Sequence, residues 1–126
     1  MYLAILHLSA DSSASSVRQE FLQGTGHGVY HTHLNKAAAG TLTEFPADVA
    51  IVELGDRAAD ALAAVAALLA VPRRRGDWLP VILTEVAPGD RARALEVAPH
   101  AILLPPGTPP EQAERACQEA YGALLN

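Results

Sequence analysis

The sequence predicts an α/β chain in which a parallel sheet is covered by helices on both faces, a three-layer αβα sandwich. Three observations carry that prediction. Short apolar runs recur as "YLAIL" (2–6), "VAIVEL" (49–54), "VILT" (81–84) and "AILL" (101–104). Each is strand-length and continuous rather than alternating, as expected of strands buried on both faces. Helix-length segments lie between them, and a strand–helix–strand order implies parallel pairing through right-handed crossovers. The length of 126 residues suits one domain, 1–126, with a single sheet at its centre.

Taken in order, "YLAIL" is the first strand. It has no basic segment ahead of it and is too short for a signal or membrane-spanning segment. Residues 12–22, "SSASSVRQEFL", open with serines able to cap a helix and set Val17, Phe21 and Leu22 at helical spacing. "HGVYHTHL" reads as an edge strand and "NKAAAGTL" as a weak helix with Gly40 inside it. "ADVAIVELGD" (47–56) is a buried strand that ends on Glu53. Residues 57–70 place Leu62, Val65, Leu68 and Leu69 on one side of a helix that Pro72 stops. "PGDRARALEVA" (88–98) is a short helix after the "VILT" strand. The last helix, 109–125, opens with prolines and early glutamates and carries Ala113, Ala116, Cys117, Ala120, Tyr121 and Leu124 as one stripe.

Composition narrows the function classes. Apolar residues make up 50% but aromatics only 5%, so Ala, Val, Leu and Ile must build the core. A net charge of −5 disfavours nucleic-acid binding, which runs on phosphate neutralisation. The single cysteine, Cys117, excludes an internal disulfide and fits a reducing, cytoplasmic setting. In open parallel sheets ligands gather at the carboxyl ends of the strands. Those tips are "HLSAD" (7–11), "ELGD" (53–56), "TE" (84–85) and "LPPG" (104–107). No Gly-rich phosphate loop follows the first strand, because "GTGHG" (24–28) precedes a strand instead of opening a helix.

With the tips in place, the sequence resembles a response-regulator receiver domain (CheY-like), the phospho-acceptor module of two-component signalling. "ADVAIVELGDRAADALAAVAALLA" is similar to the family's acceptor strand and following helix, with Glu53 on the phosphorylated aspartate and Leu54, Asp60 and Leu62 on the positions beyond it. "LPVILTEVAPGDRARALEVAPHAILLPPGTPPEQ" continues the likeness. It sets Thr84 at the switch hydroxyl, residues 101–103 on the fifth strand, Pro105 on the active-site lysine and Pro106 on the proline after it. The resemblance spans residues 2 to 125 and implies a flavodoxin-like sheet of order 2-1-3-4-5, with a cis bond before Pro106. It also implies an Mg²⁺ pocket of two further acids. Here the first strand supplies His7 and Leu8, or Ser9 and Ala10, at those positions, and only a lengthened strand brings in Asp11. Pro105 has no amine to replace the lysine.

These departures imply a stand-alone pseudo-receiver, no enzyme and without a cofactor, acting through contact with a sensor kinase or output protein. Its self-complementary dimer face would carry Arg91, Arg93, Glu96, Glu111, Glu114, Arg115 and Glu119 on the fourth helix, fifth strand and fifth helix. One alternative is an active acceptor using Asp56 or Glu53 with Asp11 and Mg²⁺. A rival from another class is a metal or small-ligand module built on His27, His31 and His33, which period-two alternation sets on one strand face. Duller explanations stand beside each residue. Glu53 can be a solvated strand end, Thr84 a β-branched strand residue and Pro105-Pro106 a helix stop. The histidines can be a polar edge, "PRRRGDW" (72–78) a solvated basic loop and Cys117 a core residue.

Overall fold

The computed structural model describes residues 2–10, 12–34, 38–73 and 78–125. Its strands are β1 (Ala4–Ser9), β2 (Gly28–His33), β3 (Val49–Glu53), β4 (Val81–Thr84) and β5 (Ile102–Leu103). They form one sheet of order β2-β1-β3-β4-β5 with every neighbouring pair parallel. The helices are α1 (Ser13–Gly24), α2 (Ala38–Glu44), α3 (Ala58–Leu69), α4 (Arg91–Val97) and α5 (Pro110–Leu125), with a 3-10 turn at Pro88–Asp90 leading into α4. The predicted layers and strand order are those observed.

The continuous apolar runs are explained by the two faces they feed. Leu6, Leu8, Ala50, Val52 and Leu83 point to one side, where they meet Ala61, Leu62, Val65 and Leu68 of α3. The intervening Ile5, Val49, Ile51 and Ile82 point to the other and pack on Leu22 of α1 with Ala116 and Cys117 of α5. β2 is an edge strand, and its half-exposed pattern matches the polar sequence "GVYHTH". No helix among the described residues is long and apolar enough to cross a membrane.

Several expectations need correction. The inward face of α1 is Ser15, Arg18 and Leu22, whereas Val17 is 53% exposed. Spacing of apolar residues alone therefore misphased the helix by part of a turn. The Pro105–Pro106 bond is not cis, there being no cis peptide among the described residues. The chain turns there through Gly107 at φ 81°, with the Thr108 hydroxyl donating to the Pro105 carbonyl at 2.6 Å. Glu114 does not join the exposed charges of α4 and α5 but turns to His27, 3.0 Å away. In the basic loop, Arg73 Nη1 donates to the Ala47 carbonyl at 3.2 Å, and residues 74–77 lie outside the described residues.

Candidate functional site

The carboxyl ends of β1, β3 and β4 converge under the first turns of α1. Side chains alternate along each strand, so His7 and Ser9 follow Ile5 on the α1 side, Glu53 follows Ile51, and Thr84 follows Ile82. Glu53 and Thr84 are register partners across β3 and β4. The apolar core thus ends in a polar tier just where the strands end.

Glu53 is not a solvated strand end. It is 5% exposed, and its two oxygens each lie 2.9 Å from the Ser12 hydroxyl. Ser12 is the N-cap of α1, its oxygen accepting the Ser15 N–H at 3.0 Å while its proton serves Glu53. One serine therefore starts the helix and holds the carboxylate.

The charge partner of Glu53 is Arg18, a residue that sequence reasoning missed. Its guanidinium is buried, with Nη1 3.5 Å from Glu53 Oε1 and Nη2 3.7 Å from Glu85 Oε1. Nη1 also lies 3.1 Å from His7 Nε2. Arginine has only donors, so His7 Nε2 must accept and the ring proton sits on Nδ1. That Nδ1 is buried and lacks a hydrogen-bond partner among the described residues. Burial first, then the Arg18 charge and His31, lower the His7 pKa from 6.5 to about 3, so the ring is neutral. The signal that could have found Arg18 is its phase: Ser15, Arg18 and Leu22 lie on one helical stripe.

A hydroxyl network flanks the ion pair. Ser9, fully buried, donates to Ser15 at 2.9 Å and lies 2.9 Å from His31 Nε2. The His7 and His31 rings sit 5.2 Å apart on opposed residues of β1 and β2. Thr84 is 2% exposed, and its hydroxyl has no hydrogen-bond partner among the described residues. Asp56 stands exposed in the turn after β3, whose Gly55 takes φ 53°. Asp11 lies outside the described residues. Pro105 is exposed beyond β5 and brings no charge to the tier.

His27 and His31 are four residues apart, about 13 Å along a strand at ~3.3 Å per residue. Both ring nitrogens of His27 are committed, Nδ1 accepting the Leu3 N–H at 2.9 Å and Nε2 meeting Glu114 Oε2. Among the described residues no group of three or more His, Cys, Asp or Glu side chains is arranged to hold a metal.

The tier also fits Mg²⁺ poorly. That ion wants several carboxylate and water oxygens in octahedral order. Among the described residues, the β1 tip offers His7 and Ser9, both engaged, and Glu53 already faces a fixed guanidinium. An ion placed at Glu53 would stand against that positive charge.

No family model and no curated protein matches the chain. Solved structures do. The signal receiver domain of a modulated diguanylate cyclase from Desulfovibrio desulfuricans G20 aligns with a TM-score of 0.77 at 19% identity, covering 99% of this chain and 98% of that one. The signal receiver domain of a signal transduction histidine kinase from Syntrophus aciditrophicus aligns at 0.69 and 18% identity, covering 96% and 92%. The beryllofluoride-activated NtrC receiver domain aligns at 0.59 and 21% identity, covering 98% of each. At such identities the shared property is architecture, and that architecture is specific in strand order, helix placement and length. The chain has the fold of a CheY-like response-regulator receiver domain.

Proposed function

We propose that the chain is a receiver-type module of two-component signalling in which a built-in ion pair has replaced phospho-acceptor chemistry. The observation that carries this is Arg18, whose guanidinium lies buried between Glu53 and Glu85 at 3.5 and 3.7 Å. A working acceptor needs a carboxylate free to attack phosphorus, a divalent cation over the transferred group and a mobile ammonium against its charge. Here the carboxylate at the acceptor position is held by a hydroxyl and a cation from the same helix. The lysine position is Pro105, which has no charge to offer.

Such a module signals through protein contact, to a kinase, an output protein or a second copy. The exposed charges Arg91, Arg93, Glu96, Glu111, Arg115 and Glu119 on α4 and α5 suit a reciprocal, salt-sensitive contact. The test of the central reading is incubation with acetyl phosphate and Mg²⁺ followed by intact mass. The expected result is an unchanged mass. A gain of one phosphoryl group, mapped to Glu53 or Asp56, would restore the active-acceptor alternative.

A further inference from the structure

Glu85, immediately after β4, is the only non-glycine among the described residues with a left-handed backbone, at φ 54°. For an L-residue that conformation brings Cβ against the following carbonyl, and glutamate is not a type that adopts it readily. It persists only where the surroundings hold it. Two backbone bonds bracket the position: Gly55 N–H donates to the Glu85 carbonyl at 3.1 Å, and Val86 N–H donates to the Leu104 carbonyl at 3.0 Å. Those bonds would serve any residue there, glycine included. The third contact is made by the side chain: Glu85 Oε1 lies 3.7 Å from Arg18 Nη2, and that carboxylate side chain is only 20% exposed.

We infer that the Arg18–Glu85 pair is a latch through which α1 fixes the β4–α4 loop. Arg18 cannot swing away, because Nη1 is tied to Glu53 and to His7 Nε2. The guanidinium is therefore a fixed anchor, and Glu85 is the movable partner. Beyond Glu85 the chain runs through the uncharged Val86 and Ala87 into the Pro88–Asp90 turn and α4. Fixing Glu85 accordingly sets where α4 and its exposed Arg91, Arg93 and Glu96 begin. Arg18 and Glu85 act here as positioning residues. The inference rests on the proposed reading in one respect, that a side chain of the protein and not a transferred group controls the pocket.

Amide hydrogen exchange tests it on wild type, Arg18→Met, Glu85→Gln and the double variant. Glu85→Gln should speed exchange at Val86 and Gly55 several-fold while β1, β3 and α5 keep their protection, and Arg18→Met should speed those two amides beyond the general loss of protection that its lower stability brings. The double variant should exchange no faster than the faster single, since the two residues share one interaction. Unchanged protection at Val86 and Gly55 in both single variants overturns the latch, as does fully additive behaviour. Should Arg18→Met unfold, Glu85→Gln decides alone, because it alters a side chain at the edge of the pocket. Phosphorylation of the wild type by acetyl phosphate would sink the pseudo-receiver reading without touching the exchange result, so the two fail separately.

Discussion

Replacing Arg18 with methionine is the most informative perturbation of the polar tier. The side chain keeps its length and apolar stem, but Glu53 loses its only cationic partner among the described residues, at 3.5 Å. At an effective dielectric near 20, a unit pair at that separation attracts by about 5 kcal/mol. Most of that is offset, because burying the guanidinium itself costs several kcal/mol, a cost the variant no longer bears. What remains is a 5% exposed carboxylate whose hydrogen-bond partner among the described residues is the Ser12 hydroxyl. Removing one partner of a buried pair typically costs about 3–5 kcal/mol. We expect a loss in that range by urea denaturation at neutral pH. Adding Glu53→Gln to Arg18→Met should recover much of it, since the double variant strands no charge. A loss below about 1 kcal/mol for Arg18→Met, within the range of exposed pairs, would refute the reasoning.

Three further outcomes follow from the same structure. His7 has a folded pKa of about 3 against 6.5 unfolded, so acidification through that window protonates the unfolded chain first and lowers stability. The slope should approach about 1.4 kcal/mol per pH unit from this residue, and His7→Gln, which keeps an acceptor for Arg18, should flatten a plot of denaturation midpoint against pH. The Cys117 thiol, pushed up to about 12 by burial and by Glu114, should not react with Ellman's reagent at pH 8 until denaturant is added. His27→Ala should strand the Leu3 N–H and leave the Glu114 carboxylate to the Gln118 amide, costing about 1–3 kcal/mol. It should also raise Leu3 amide exchange.

The architecture was legible because each core strand supplies both faces, which leaves unbroken runs such as "VAIVEL" and "VILT". Glu53 was legible as a strand tip for the same reason. Arg18 was not, because periodicity was judged on apolar residues, and α1 buries a serine and an arginine in their place. Glu85 was visible only as the end of "TE". Its left-handed backbone comes with contacts to Gly55 and Arg18, which lie far away in the chain. The histidines were legible as a period-two pattern, but their partners were not: His27 meets Leu3 and Glu114, and His31 meets Ser9.

The central claim is that the guanidinium of Arg18 stands in the place of an external cation beside Glu53. Two-dimensional amide spectra recorded while Mg²⁺ and beryllofluoride are added test it most directly. The account predicts unmoved resonances for Glu53, Leu54, Thr84 and Glu85. Saturable shifts at those four amides, absent when Glu53 is changed to glutamine, would contradict it.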